Sequence, residues 1–251
     1  MTNKYLLLDA EYLWCDDLYN AHRSFDPNTD RHAAVVKRIM AASVFEISFD
    51  DEGRVTCGML ATWNEHDWGD EESIVRELFM FLRDREESVV LTYGGLGTDI
   101  PILQLAAMEY GIAVPPQLED RPGRKGPRTH LDLGLMLKCG GRSWFHLSQV
   151  ALRMGIPLAL VAAKANVPQP CQPEAWQSLS HHVELDTLIL ALAWIGWLVS
   201  QGKSGLRYEA AAIAVIAGFL RRRPDHGSAG ELAAYSRSLA GRIEDRILKA
   251  A

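Results

Sequence analysis

The sequence predicts an α/β protein in which a mixed, five-stranded sheet carries helices on its faces, and three observations predict it. "KYLLLD", close to the N-terminus, is a short apolar run of the kind that forms a central strand buried on both faces. Two strand-like segments follow it, joined by a tight turn. Beyond residue 73, helical and strand-like segments alternate before giving way to helices alone, the pattern of a sheet covered by helices. With 251 residues and 48% hydrophobic content, the chain can bury one substantial core, with or without a helical appendage.

Taken in order, the first strand ends at the acid Asp9, and a polar, irregular insert containing "FDPNTD" covers residues 16–38. "IMAASVFEISF" and "RVTCGMLATW" form a hairpin through "DDEG", where Gly53 supplies a positive φ. "SIVRELFMFLRD" spaces Ile74, Val75, Leu78, Phe79 and Leu82 as an amphipathic helix behind Ser73 as its cap. "SVVLTYGG" is the fourth strand. Residues 99–110 form a helix with Asp99 as N-cap, Pro101 in the first turn and Gly111 as the stop. The loop "PPQLEDRPGRKGPR" leads to a fifth strand in "THLDLG", and "HLSQVALRMG" is helical. After the connector "NVPQPCQPE" comes an apolar helix around Asp186. Its uninterrupted apolar stretch, residues 188–199, falls short of the roughly 20 residues that span a bilayer and reads as a buried helix. Helices over 208–223 and 229–249 close the chain.

The formal net charge of −6 excludes a strongly basic nucleic-acid coat protein, while local basic patches can still contact phosphates. Cys15, Cys57, Cys139 and Cys171 lie far apart with no CxxC spacing, so neither a zinc site nor a disulfide framework is expected. The apolar run before Asp9 is too short for a signal peptide. A cytoplasmic location and no membrane partner are the expectations, and no protein partner is specified.

Asp9 and Glu11 stand at i and i+2, so on a strand both carboxylates point to one face of the sheet. Held together they raise each other's pKa unless a cation lies between them, and magnesium or manganese prefers such oxygen ligands. An exposed pair at a strand end is the alternative. Asp99 follows the glycine-rich turn "GGLGT" and serves equally as a helix cap; neither GxxxxGK[ST] nor GxGxxG is present, which disfavours a phosphate loop. Asp186 is the one charge in "LDTLILALAWIGWLV". A buried carboxylate without a partner costs several kcal/mol, so a metal, an Arg or a Lys must meet it, unless the start of the helix accommodates it. His181 and His182 precede Asp186 by five and four residues. Once the helix is formed, His182 shares a face with Asp186, and a histidine there can act as a general base.

A D-x-E pair on the first strand, an Asp opening the helix after the fourth, and His-x(3,4)-Asp on a late helix together resemble the DEDD superfamily of ribonuclease H-like 3′–5′ exonucleases. More narrowly, "VKRIMAASVFEI", "TDIPILQLAAMEYGI" and "THLDLGLML" are similar to segments of predicted exonucleases related to the proofreading domain of family B DNA polymerases. The resemblance covers about residues 4 to 200. It implies a ribonuclease H-like exonuclease domain over residues 1–205, with residues 206–251 as a helical extension packed on it. It also implies two divalent ions, Mg2+ or Mn2+, held by Asp9, Glu11, Asp99 and Asp186, with Asp9 bridging and Asp99 reaching the second ion through water. His182, with His181 as the alternative, becomes the general base. Single-stranded DNA or RNA 3′ ends are the implied substrate.

Tyr93 and Thr98 stand where the family usually has an Asn and an aromatic that position the terminal nucleotide. Arg124 and Lys125, in the basic loop, are candidate phosphate contacts. Tyr12, Trp14 and Trp144 are candidate stacking residues, with burial as their alternative. Two other functions stay open: a ribonuclease H-like module that keeps the acids but only binds nucleic acid or assembles with other chains, and a small-molecule nucleotide phosphohydrolase.

Overall fold

The computed structural model describes residues 3–30, 33–119, 129–162, 170, 172–203 and 205–250. Five strands, β1 (Asn3–Trp14), β2 (Lys37–Phe49), β3 (Val55–Asn64), β4 (Val89–Thr92) and β5 (His130–Asp132), form one mixed sheet in the order β3-β2-β1-β4-β5. The pairs β1–β2 and β2–β3 are antiparallel, and β1–β4 and β4–β5 are parallel. The helices are α1 (Asp16–Phe25), α2 (Glu65–Trp68), α3 (Glu71–Arg83), α4 (Asp99–Tyr110), α5 (Leu133–Lys138), α6 (Leu147–Arg153), α7 (Leu158–Ala162), α8 (Pro173–Ser200), α9 (Tyr208–Arg222) and α10 (Ala229–Ala250).

Successive side chains of a strand point to opposite faces, and β1 divides the core accordingly. Leu6, Leu8 and Ala10 join Ile74, Leu78 and Phe79 of α3 and Leu103 of α4 on one face. Leu7 joins Leu188, Ile189 and Leu192 of α8 and Ile216 and Phe219 of α9 on the other. The mixed five-stranded sheet flanked by helices is therefore the architecture the sequence predicts.

Several boundaries differ, each for an identifiable reason. Strand β1 does not stop at Asp9: it continues along β2 through Asp9↔Ser43, Ala10↔Ala42 and Glu11↔Ala41, with a bulge before Tyr12. Backbone pairing needs no apolar side chain, so the end of an apolar run was a poor marker of the strand's end. The insert after β1 is partly helical: α1 buries none of its residues, and its apolar positions, Leu18, Ala21 and Phe25, stand among polar neighbours on the surface. Its Asp16 and Asp17 in the first turn, and His22 and Arg23 in the last, instead complement the helix dipole. Helix α3 is capped by Asp70, whose side chain accepts from the Ser73 N–H, rather than by Ser73. Thr98, not Asp99, is the N-cap residue of α4.

The largest departure is α8. It begins at Pro173, suited to a first turn, and runs for 28 residues, so Asp186 lies mid-helix and the accommodation offered by a helix start does not apply to it. Among the described residues it is the one helix long and apolar enough to cross a membrane, and its apolar window is 72% buried inside the fold.

Helices α9 and α10 complete the same core. Phe219 meets Phe45 edge to face, with centroids 5.9 Å apart, and Arg222 donates to the Cys57 carbonyl of β3 at 2.6 Å. Truncating Phe219 to Ala removes a fully buried ring between α9 and the sheet. Urea denaturation of Phe219→Ala is expected to show a loss of about 3–5 kcal/mol.

Candidate active site

Because Leu7 faces α8, the alternation of β1 puts Asp9 and Glu11 on that face as well. The parallel pairing of β1 with β4 ends at Leu7↔Leu91, while β1 continues to Trp14. The acids therefore emerge where the neighbouring strand has turned away, and a cavity of about 540 Å3 opens there. Asp9 and Glu11 of β1, Asp99 of α4 and Asp186 of α8 all line it, opposite Tyr93, Leu135 and Trp144.

Helix α8 lays His182 and Asp186 one turn apart on the side facing β1. His182 Nε2 stands 3.0 Å from Glu11 Oε1 and 3.9 Å from Asp186 Oδ2. Ligand atoms of Glu11, His182 and Asp186 all lie within 4.8 Å of one another.

Asp99 is 7% exposed, and its Oδ1 accepts the Tyr12 hydroxyl at 3.1 Å. Burial pushes its pKa up to about 7, with the charges of Glu11 and Asp132 adding to the rise and the Tyr12 hydrogen bond and Lys37 opposing it. The Tyr12 phenol is held far above its usual range, first by burial and then by Asp99, Asp9 and Glu11. The Lys37 ammonium sits 4.6 Å from the centroid of the Tyr12 ring, a cation–π contact at the rim of the acids.

The opposite wall is built on glycine. After β4 the chain turns through Gly94, at φ 76°, and a short 3₁₀ turn, Gly95–Gly97, into α4. Asp132, at the end of β5, fastens this turn: its carboxylate accepts from the Gly94 N–H at 2.9 Å, the Leu96 N–H at 3.0 Å and the Leu135 N–H at 3.1 Å. Asp132 is a structural acid, spent on these backbone groups. A Cβ on Gly94 would stand 2.8 Å from the Trp144 ring, so the indole packs on bare backbone. Tyr93 meets Trp144 edge to face and donates its hydroxyl to the Phe145 carbonyl at 2.5 Å.

Four carboxylates in one cavity, one of them driven toward neutrality by burial, with an imidazole nitrogen beside them, form a donor set that fits a divalent cation. Of the residues singled out in the sequence, Asp9, Glu11, Asp99, Asp186, Tyr12, Tyr93 and Thr98 line this cavity, and His182 adjoins it through Glu11. His181 does not join them. It is turned toward the connection of α9 and α10, with its ring 4.5 Å from that of His226 and its carbonyl accepting from His226 Nε2. Trp14 ends β1 outside the cavity lining, and Arg124 and Lys125 lie outside the described residues. Arg223 is a structural cation: its Nε donates to Glu184 Oε1 at 2.7 Å. Lys37 was missed, because only the register that sets it opposite Trp14 brings it to Tyr12.

The raised pKa of Asp99 has a consequence for stability. Below about pH 4 the group is protonated in both folded and unfolded protein. Between about pH 4 and 7 the unfolded chain ionises while the folded chain keeps its proton, so the group's contribution to stability falls across that window and levels off above it. In metal-free buffer, Asp99→Asn is expected to be more stable than wild type at pH 7.5 by on the order of 1 kcal/mol or more, with the gap closing toward about pH 4. Thermal melting in chelator across that range measures it.

Residues 30–236 match a family described as a predicted 3′–5′ exonuclease related to the exonuclease domain of PolB. The matched segment includes Asp99, His182 and Asp186, and begins after Asp9 and Glu11. Among solved structures, the family B DNA polymerase from the hyperthermophilic archaeon Pyrobaculum calidifontis shares the fold, with a TM-score of 0.50 and 16% identity. The alignment covers 88% of this chain and 29% of the polymerase. No curated protein sequence matches. With most of its length matched and the acids gathered in one cavity, the chain belongs to the family of predicted 3′–5′ exonucleases related to the exonuclease domain of PolB.

Proposed function

We propose that the protein is a metal-dependent 3′–5′ exonuclease that releases nucleoside monophosphates from the 3′ ends of single-stranded DNA or RNA. The observation that carries this reading is the convergence of Asp9, Glu11, Asp99 and Asp186, from three separate elements, on one cavity. Asp9, Glu11 and Asp186 would hold one Mg2+ or Mn2+ ion, and Asp9 with Asp99 the second. Such a pair of ions stabilises the attacking and leaving oxygens of an in-line displacement at phosphorus.

The chain's own groups prepare that chemistry. Tyr12 orients the Asp99 carboxylate through its hydroxyl, and Lys37 adds positive charge at the entrance, where a phosphate would approach. Trp144, 39% exposed and braced by Tyr93 and the bare backbone of Gly94, offers a flat face against which an unpaired terminal base can stack. In this chain the braced indole would position the terminal base, with Tyr93 supporting it from behind.

End-labelled single-stranded DNA and RNA, incubated with Mg2+ or Mn2+, should shorten stepwise from the 3′ end. Asp9→Ala and Asp186→Ala should reduce the rate at least about a hundredfold. Wild-type protein that shortens neither substrate with either ion would sink the reading, and retained binding without cleavage would point to a nucleic-acid-binding module. Hydrolysis of mononucleotides alone would replace it with a small-molecule phosphohydrolase.

A further inference from the structure

We infer that Lys37 and Trp14, at the rim of the cavity, form a second nucleotide subsite that holds the nucleotide next to the one being removed. The inference rests on the exonuclease reading above and adds a requirement of the substrate to it: a phosphate on the 5′ side of the penultimate nucleotide.

The register of the sheet brings the two residues together. Trp14 and Lys37 stand opposite each other where β1 pairs with β2, so their side chains leave the same face. Tyr12, two residues before Trp14 on the strand, leaves that face as well and reaches Asp99. The rim therefore continues the cavity wall outward from Asp99. The Tyr12 hydroxyl donates to Asp99 at 3.1 Å, and the Lys37 ammonium lies 4.6 Å from the centroid of the Tyr12 ring. These two contacts separate the cation from the acids by a reach comparable to one nucleotide step.

The chemistry of the pair suits a nucleotide. The Lys37 ammonium meets a ring face, which leaves its N–H donors for an anion. Its neighbour Arg38 is by contrast held by Glu71 at 2.7 Å and Glu109 at 2.9 Å. Trp14 is 41% exposed at the end of its strand. A cation beside an exposed indole matches the phosphate and the base of one nucleotide in an unpaired strand. Direction then selects the phosphate. With the terminal base on Trp144 and the scissile phosphate at the acids, the next phosphate outward joins the second and third nucleotides from the 3′ end, and Lys37 meets that one. A dinucleotide carries a phosphate at this place only when its 5′ end is phosphorylated.

The test compares kcat/KM of the full chain on dinucleotides with and without a 5′-phosphate, in whichever of DNA and RNA it shortens. Wild type should favour the phosphorylated dinucleotide by about tenfold or more. A 5′-phosphate on a tetranucleotide lies beyond Lys37 and should change the rate less than about twofold. Lys37→Gln should bring the dinucleotide ratio to within about twofold of one, and Lys37→Arg should keep most of it. An abasic penultimate nucleotide in a longer strand should raise KM about fivefold or more in wild type, a penalty that Trp14→Ala should abolish. If Lys37→Gln fails to fold, wild type decides the matter on strands carrying one neutral methylphosphonate. Placed between the second and third nucleotides it should slow cleavage about tenfold, and one linkage further out it should have little effect. A wild-type dinucleotide ratio near one, a ratio that survives Lys37→Gln, an abasic penalty that survives Trp14→Ala, or indifference to the inner methylphosphonate would each overturn the inference. All four leave the exonuclease reading standing, because longer strands would still be shortened. A protein that shortens no strand overturns both.

Discussion

Strand β1 is hydrogen-bonded to β2 along one edge and to β4 along the other, and it is buried on both faces. Each of these restraints fixes a different coordinate of the acids it carries. The alternation of Leu6, Leu7 and Leu8 between two cores decides that Asp9 and Glu11 look toward α8. A shift of one residue would turn both into the apolar core built on α3 and α4. The pairing with β2, continued through the small residues Ser43, Ala42 and Ala41, keeps the acids on a regular strand. The early end of β4 gives them open space. None of these restraints is local to the cavity, yet together they set its floor.

Burying acids is costly, and the chain meets the cost in ways that separate structure from chemistry. Asp132 is met by three backbone N–H groups, and Glu184 by the Thr62 hydroxyl at 2.6 Å and the Arg223 guanidinium at 2.7 Å. Those two acids hold elements together. Asp99 has a phenol and a nearby ammonium set against burial and neighbouring carboxylates, and its pKa remains pushed up. Asp99, the acid whose charge remains poorly compensated, is one of those gathered in the cavity, which is where an external cation gains most.

How much of this could be read from the sequence depends on how local each cause is. The shared direction of Asp9 and Glu11, the helix over Asp99–Tyr110 and its stop at Gly111, and the hairpin turn at Gly53 rest on periodicity and backbone preference within a few residues. They were legible. The start of α8 was not, because its first turns are polar on the outside and follow a proline-rich connector, so the apolar run marked only its second half. The choice between His181 and His182 depended on that start: with the helix already formed at both, their side chains diverge by about 100°. Lys37 over Tyr12, Asp132 under the glycine turn and Trp144 on Gly94 join residues distant in sequence, and no local pattern announces such contacts. The apparent strand end at Asp9 shows the opposite failure, a local signal overridden by the partner strand.

Glu184 lies between His182 and Asp186 in sequence and points away from them, where Arg223 and Thr62 grip it. That grip keys α8 against rotation about its own axis. A helix packed by apolar side chains alone has shallow resistance to rolling, since one leucine substitutes for another along the contact. A buried ion pair has one acceptable angle. Here the key sits on the same turn of helix as the two groups that face Glu11, so the bearing of those groups is set from the far side of α8, by an arginine that never enters the cavity.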